Sequence, residues 1–217
     1  MRLLLGLAAR QRWPLALDWL RPGEQERLKG FGSDRRRQTF LAGRWLLREL
    51  LADALGGSAL AQRVDVDAEG RSHAATGHVN LSHSGDWCVA AWSSEALVGV
   101  DLEVLRPRTG LMAIAERVAS EQECAQLAAM VGPPQLEAFY RLWTLKEAWL
   151  KSHGQGLDFA LMRRLAFEPA EADINAASVH LPRAGLQISV CSAGLASLPE
   201  RLADEPLQWR GFRQLTP

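Results

Sequence analysis

The chain has 217 residues, of which 47% are hydrophobic, enough apolar material for one large domain or two small ones. Its 25 lysines and arginines balance its 25 aspartates and glutamates, so no overall field favours nucleic acid or a membrane surface. Cys88, Cys124 and Cys191 match neither a zinc pair nor a disulfide framework, which predicts a reducing, cytosolic compartment. No segment reaches the ~20 apolar residues of a membrane span.

The first half of the chain predicts a strand, two helices and a series of short strands. The apolar run at residues 3–8 predicts a first strand, with a secretory signal as the alternative. Pro22 begins a short polar helix, and apolar residues at helical spacing predict a longer helix over residues 34–55. Strands are expected near residues 64–66, 79–82, 87–93 and 97–104, with a hairpin turn at Gly85 and Asp86.

The second half predicts helices followed by strands. Helices are expected over residues 111–118, from the capping box at 120–123, and over 135–153. Strands are expected near 165–167, 179–181, 186–191 and 207–209. This order predicts an α+β fold, with an N-terminal lobe over 1–106 and a C-terminal lobe over 107–217.

Residues 97–104 become acidic on one face only. Because side chains alternate across a strand, Asp101 and Glu103 share one face, and the valines and leucine of the run share the other. Such a pair suits Mg²⁺, which takes one or two carboxylates together with phosphate oxygens. The alternative is the solvated face of a half-buried strand, which needs no metal.

The helix predicted over residues 135–153 carries a lysine inside its apolar stripe. At roughly 100° per residue, Lys146 falls within that stripe, Glu147 lies at its edge, and Lys151 follows at i+4. Lys146 either points into a recess beside an anionic group or lays its stem along the apolar surface. Glu147 and Lys151 also suit a simple surface ion pair.

Polar residues at 80–85 offer hydroxyl and imidazole groups that suit a phosphate, although turn chemistry alone explains many such clusters. A Ser/His/Asp hydrolase is disfavoured because there is no Gly-x-Ser-x-Gly motif, and adjacent Ser82 and His83 point to opposite strand faces. The arginines at 35–37 form either a solvated helix face or a site for a phosphate or an acidic partner. No nucleic-acid module is recognisable.

Three segments, in this order, resemble the motifs of the 4′-phosphopantetheinyl transferase superfamily: residues 80–85 (NLSHSG), 99–103 (GVDLE) and 143–151 (WTLKEAWLK). The length and the strands after the last motif are similar to its surfactin-synthetase-activating (Sfp-like) type. The resemblance implies a pseudo-dimer of two similar α/β lobes with the active site between them. It also implies transfer of the phosphopantetheine arm of coenzyme A to a carrier serine, with release of adenosine 3′,5′-bisphosphate.

The resemblance further implies a role for each acidic motif residue. Asp101, Glu103 and Glu147 would hold Mg²⁺ against the pyrophosphate of coenzyme A. Glu147, or a water that it orients, would accept the proton of the carrier serine. Lys151 would steady the leaving phosphate as negative charge builds on it.

Contacts with coenzyme A are implied in the same way. Ser82 and His83 would hold its nucleotide end, with His83 near the 3′-phosphate, and Lys146 would contact the phosphates. Basic residues at positions of further coenzyme A contacts are Arg27, Arg44 and Arg71. Arg71 stands where the family commonly has lysine, and Glu24 stands where a basic contact is expected.

The expected partner is an apo carrier protein of the acyl, polyketide or peptidyl type, and the expected state is a monomer. Neither nucleic acid nor a membrane is expected as a partner. Two other functions remain open at this point: a carrier-binding module without chemistry, and an Mg²⁺-dependent nucleotide hydrolase.

Overall fold

The computed structural model of the protein describes residues 2–9, 13–67, 70–193, 195 and 207–215. Its helices are α1 (Pro22–Lys29), α2 (Asp34–Leu55), α3 (Leu111–Val118), α4 (Glu121–Ala128), α5 (Pro133–Ser152) and α6 (Phe159–Arg164), with a short 3₁₀ turn at Ala59–Ala61. Its strands are β1 (Leu3–Ala9), β2 (Val64–Val66), β3 (Ser72–Ala74), β4 (His78–Ser84), β5 (Trp87–Ser93), β6 (Val98–Val104), β7 (Ala166–Pro169), β8 (Ala176–Leu181), β9 (Leu186–Ser192) and β10 (Arg210–Leu215). None of the helices in the described ranges combines the length and apolar character that crossing a membrane requires.

The strands form two main antiparallel sheets. One has the order β1-β5-β4 and the other β6-β9-β8-β10-β7, while β2 and β3 pair as a separate ribbon. Ser84 pairs with Trp87, so Gly85 and Asp86 form the predicted two-residue hairpin turn, and Gly85 takes a positive φ of 59°. The predicted α+β class is confirmed.

The two sheets and the two longest helices pack in four layers. Along β5, Val89 and Ala91 face the core shared with the five-stranded sheet, while Cys88 and Ala90 face the core shared with α2. Helix α5 covers the opposite face of the five-stranded sheet. β5 is therefore buried on both sides, which explains why it is apolar along most of its length.

Side chains of β4 join the two sheets at strand β6. The Val100 N–H donates to Asn80 Oδ1 at 3.0 Å, and the Val104 N–H donates to Ser84 Oγ at 3.2 Å. β6 is the edge strand of its sheet, so these side chains satisfy backbone donors that have no partner strand. Part of the polar segment at 80–85 therefore serves the architecture.

A buried ion cluster joins α1 to α2. The Glu24 carboxylate is only 3% exposed and lies between the guanidinium groups of Arg44 and Arg48. Burial alone would raise the pKa of Glu24, but hydrogen bonds and charges from the two arginines overcome this effect and lower it. The acidic residue at position 24 therefore neutralises two buried arginines.

One predicted strand is wrong in position. Residues 207–209 pair with no strand among the described residues, and the strand that follows them is β10, which pairs with β7 and β8. Leu207 and Trp209 pack against the main core without joining a ladder, which accounts for their apolar character. Strand β6 precedes the predicted lobe boundary at residue 106, whereas its partner β9 follows that boundary. The division of the chain into two lobes stays a prediction.

Candidate active site

Helix α5 lies directly against strand β6 because residue 99 is glycine. A Cβ built at Gly99 would overlap the Ala148 carbonyl oxygen and the Ser152 amide nitrogen. This close approach brings the α5 side chains of Glu147 and Lys151 over the acidic face of β6. Two sequence segments about forty residues apart thus meet in space.

Asp101 is the centre of the cluster. Its Oδ1 atom accepts hydrogen bonds from Ser82 Oγ at 2.7 Å and from Lys151 Nζ at 2.6 Å. Its Oδ2 atom is buried and has no hydrogen-bond partner among the described residues. A buried carboxylate oxygen without a partner is costly, so it marks a place where a cation or donor would be stabilised.

The neighbouring carboxylates repel one another. Burial raises the pKa of Glu147, and the negative charges of Asp101 and Glu103 raise it further against the opposing charge of Lys151. Burial also raises the pKa of Glu103, although a 2.7 Å hydrogen bond from Ser84 Oγ and nearby cations counteract it. Three carboxylates outnumber the two cations that act on them, Lys151 and Arg108, so excess negative charge remains at this position.

These residues fit a hard divalent cation by charge and by donor type. The Asp101 Oδ2 atom has no partner among the described residues, and burial together with the neighbouring negative charge raises the pKa values of Glu103 and Glu147, so a bound cation would stabilise all three carboxylates. Within the described ranges, no three His, Cys, Asp or Glu side chains are close enough to form a ready-made metal-binding group. A cation would therefore need ligands from another molecule as well.

A cationic cleft of about 1270 Å³ adjoins the cluster. Six lysines or arginines and four of the five histidines in the sequence line it, and no aspartate or glutamate does so among the described residues. The basic lining residues are Arg27, Arg35, Arg36, Arg44, Arg71, Lys151, His73, His78, His83 and His153. In a chain of zero net charge, this segregation of positive charge favours a polyanionic ligand.

Lys151 connects the two parts of the site. Its side chain lines the cleft. Its ammonium group also donates hydrogen bonds to the Asp101 carboxylate and, at 2.9 Å, to the Ser82 hydroxyl. The lysine therefore lies where the cationic cleft meets the carboxylates.

His83, Arg27 and Arg71, which the resemblance assigns to coenzyme A contacts, all line the cleft. His83 is exposed and lies on the face of β4 opposite Ser82, as strand alternation requires, so a Ser–His pair for hydrolysis is not formed by these neighbours. Arg71 donates from its amide and from Nε to the Asp67 carboxylate, each at 2.8 Å.

The prediction that Lys146 contacts phosphates is wrong. Its side chain is 0% exposed, and its ammonium group donates to the Val118 carbonyl, the Glu123 carboxylate and the Met162 carbonyl at 2.6–3.0 Å. Three donors meet three acceptors, so none is left for a ligand. Burial lowers the pKa of Lys146, while Glu123 counteracts this.

Two further coenzyme A contacts are corrected. The Ser82 hydroxyl is buried between Asp101 and Lys151 and is not part of the cleft lining, so it supports the carboxylates and not the nucleotide. Arg44 borders the cleft, but its guanidinium is 2% exposed and bonds to Glu24, the Ser72 hydroxyl and the Val64 carbonyl. Its chief role is therefore structural.

Three histidines that line the cleft, His73, His78 and His153, were not predicted, whereas their neighbour Arg71 was. His73 and Arg71 share the Asp67 carboxylate at the β2–β3 ribbon, and His78 and His153 approach from β4 and from the end of α5. No local sequence signal marks these residues, because their common feature is the cleft that the fold builds between distant segments.

Comparison with known proteins agrees with this geometry. Residues 97–202, which contain β6 and α5, match the family model of the 4′-phosphopantetheinyl transferase superfamily. Residues 97–202 therefore belong to this superfamily. The matched segment includes all three carboxylates of the cluster and Lys151.

Curated proteins similar to this chain are also named as phosphopantetheinyl transferases. The 4′-phosphopantetheinyl transferase HetI of Nostoc sp. is 32% identical over 68% of this chain and 65% of its own length. The L-aminoadipate-semialdehyde dehydrogenase-phosphopantetheinyl transferase of Mus musculus is 30% identical over 80% of this chain and 60% of its own. The 4′-phosphopantetheinyl transferase psf-1 of Bacillus pumilus is 43% identical over 39% and 35%. The chain thus spans less than two thirds of the length of these relatives.

Proposed function

We propose that this protein transfers the 4′-phosphopantetheine arm of coenzyme A to a serine hydroxyl of an apo carrier protein, with Mg²⁺ bound. The observation that carries the proposal is the junction at Lys151, where a cleft lined by cations meets three carboxylates. A cationic cleft suits the 3′-phosphate and pyrophosphate of coenzyme A. The carboxylates suit a divalent cation and a base at the reacting phosphorus.

The reaction forms one bond and breaks one. The serine oxygen of the carrier attacks the phosphorus that bears the pantetheine arm, and the bond from that phosphorus to the bridging pyrophosphate oxygen breaks. Adenosine 3′,5′-bisphosphate leaves with that oxygen. Phosphoryl transfer of this kind asks the protein mainly for positioning and for charge stabilisation.

Glu147 is proposed to take the serine proton, directly or through a water. Its raised pKa moves a carboxylate towards the range in which a general base works well. Lys151 is proposed to move from Asp101 towards the leaving phosphate as negative charge develops there. Arg27, Arg71 and His83 are proposed to hold the nucleotide end in the cleft.

Mg²⁺ is proposed to be held by Asp101, Glu103 and Glu147, and when bound it supplies charge neutralisation on the pyrophosphate. Support comes from the partnerless Asp101 oxygen and from the excess negative charge of the cluster. A monomer in a reducing, cytosolic compartment is also proposed. All three cysteines fall within the described residues, and none of them forms a disulfide.

The proposal is tested by incubating the protein with coenzyme A, Mg²⁺ and a panel of apo carrier proteins of the acyl, polyketide and peptidyl types. We expect at least one carrier to gain the mass of the phosphopantetheine arm on its serine. A panel without any mass gain would refute the transfer. Binding to a carrier without turnover would indicate a docking module, and release of phosphate without a carrier would indicate a nucleotide hydrolase.

A further inference from the structure

A chain of buried polar side chains lies between α5 and the sheet beneath it. Thr144 Oγ1 is 2.7 Å from Ser189 Oγ, and Ser189 Oγ is 2.8 Å from Ser178 Oγ. The Gln187 amide donates to Ser178 Oγ at 2.7 Å. Thr144 and Ser189 are both 0% exposed. The phosphopantetheinyl transfer proposed above assigns no role to these residues.

Within this row of polar side chains, the Thr144–Ser189 contact is the one that joins helix α5 to the sheet. The Thr144 hydroxyl can also donate to the Tyr140 carbonyl oxygen at 2.9 Å, and the Ser178 hydroxyl can donate to the Ile188 carbonyl oxygen at 3.2 Å. The three hydroxyl groups can therefore donate in sequence from Thr144 to Ser178 or from Ser178 to Thr144, and in either case the last hydroxyl donates to a backbone carbonyl. Neither direction leaves a buried hydroxyl proton without an acceptor, so the link is fully satisfied.

The link is placed where it controls the reactive side chains. Ser189 is the cross-strand partner of Asp101, so its position on β9 is fixed relative to the carboxylate. Thr144 precedes Glu147 by three residues and Lys151 by seven, so all three share one face of α5. A shift of α5 along its axis would move Glu147 and Lys151 relative to Asp101 by the same distance.

The other contacts of α5 do not set that axial position as strictly. The contact at Gly99 allows α5 to come close to β6, and the apolar side chains of α5 pack without strong directional preference. A hydrogen bond between two buried hydroxyls has narrow distance and angle limits. Other hydrogen bonds also join α5 to this sheet: Trp149 Nε1 donates to Gln214 Oε1 at 3.1 Å, where the contact is only partly buried, and the Cys191 thiol, a weak donor, lies 3.6 Å from the Leu145 carbonyl. The hydroxyl pair is shorter than both and fully buried, and it lies on the strand beside Asp101.

We propose that Thr144 and Ser189 are positioning residues that set the register of α5 over β6 and β9, and so hold Glu147 and Lys151 at the working distance from Asp101. The inference rests on the proposed transferase function. It gives a reason for a threonine within the segment 143–151 that charge and metal binding do not explain.

The test compares Thr144→Val, Thr144→Ser and Ser189→Ala in the full chain. Thr144→Val should fold, because Ser189 can still donate to Ser178 and Ser178 to the Ile188 carbonyl. We expect kcat of transfer to fall about tenfold to a hundredfold, since a misplacement of ~1 Å costs about 10²-fold. KM for coenzyme A should stay near that of the parent, because the cleft residues are untouched. Thr144→Ser should restore kcat.

The matched control is Ser192→Ala. Ser192 is also buried on β9, and its hydroxyl donates to the Leu97 carbonyl at 2.9 Å, so its replacement removes a partly buried hydrogen bond to a residue outside α5. We expect this variant to unfold at a lower temperature but to keep kcat. Equal loss of kcat in Ser192→Ala and Thr144→Val, or parent kcat in Thr144→Val, would overturn the inference.

A second measurement separates this inference from the proposed function. With coenzyme A present, added Mg²⁺ should raise the unfolding temperature of the parent further, and this rise should shrink in Thr144→Val and Ser189→Ala but persist in Ser192→Ala. A parent chain that modifies no carrier would refute the transferase function, while the Mg²⁺ titration would still decide the positioning role. An unchanged Mg²⁺ response in Thr144→Val would count against positioning.

Discussion

Two clusters of charged residues in this protein differ in whether their charges are neutralised within the fold. At Glu24, one buried carboxylate meets the guanidinium groups of Arg44 and Arg48, and the charges are neutralised within the fold. At Asp101, three carboxylates gather around one close lysine, and one carboxylate oxygen has no partner among the described residues. A satisfied cluster stabilises the fold, whereas one with excess charge is prepared for a ligand.

The largest expected effect is on turnover. Glu147→Gln should lower kcat by about 10²–10⁴-fold, the usual contribution of a general base. The unfolding temperature at pH 7 should not fall, because glutamine removes one of three repelling negative charges. Carrier mass-shift kinetics and thermal unfolding measure the two effects. Glu121→Gln, an exposed change on α4, serves as the control and should leave both unchanged.

For the cluster at Glu24, we expect the main effect of a substitution to be on stability. Glu24→Gln should lower the free energy of unfolding by about 3–5 kcal/mol, because it leaves two buried arginines without their carboxylate. Denaturant titration at neutral pH measures this loss. A change as small as that of an exposed ion pair would contradict the description of Glu24 as the neutralising charge of this region.

The Glu24 carboxylate also makes the free energy of unfolding depend on pH. The pKa of Glu24 is lowered below its usual value of 4.5 in the folded protein, so its stabilisation is fully present above pH 4.5. It is lost as the pH falls through the lowered pKa. The difference in unfolding free energy between the parent and Glu24→Gln should therefore be largest at neutral pH and shrink in acid. A difference that grows below pH 4.5 would reverse this assignment.

The two lysines of α5 extend the comparison. Lys146→Met should lower the free energy of unfolding by about 1–3 kcal/mol for each buried acceptor left without a donor, yet leave coenzyme A affinity unchanged. Lys151→Met should lower kcat and coenzyme A affinity with a smaller effect on folding, since its side chain is 26% exposed. Calorimetric titration with coenzyme A distinguishes them. Loss of affinity in a folded Lys146→Met would restore its predicted phosphate contact.

The smallest effect is expected at the cleft wall. Arg71→Ala should weaken coenzyme A binding about tenfold, or ~1.4 kcal/mol, and less at high salt. Arg213→Ala is the matched control, because both side chains are about half exposed and each pairs with a carboxylate. Arg213 lies outside the cleft, so its removal should not change the affinity.

Local patterns predicted much of the fold and the acidic half of the site. The period of two along β6 placed Asp101 and Glu103 on one face, and helical spacing placed Glu147 and Lys151 one turn apart. These predictions depend on neighbours along the chain, which is why they hold. The strand predicted at 207–209 failed because Leu207 and Trp209 are apolar for another reason: they are partly buried against the main core, and apolar character alone does not reveal pairing.

Lys146 and Ser82 show the limit of such reasoning. The helical stripe correctly indicated that Lys146 points inward, but its acceptors come from α3, α4 and α6, so no spacing within α5 could identify them. Ser82 has the same hydroxyl whether it binds a phosphate or Asp101. The partner decides its role, and the partner lies on another strand.

The sequence by itself determined the α+β class, the order of most elements and the residue types of the proposed metal-phosphate site, because these follow from periodicity and side-chain chemistry. Only the tertiary structure decided which charges are neutralised within the protein and which remain available to a ligand. That choice depends on burial and on distances between segments such as β6 and α5. Lys146 and Lys151, five residues apart on one helix, therefore serve the fold and the site respectively.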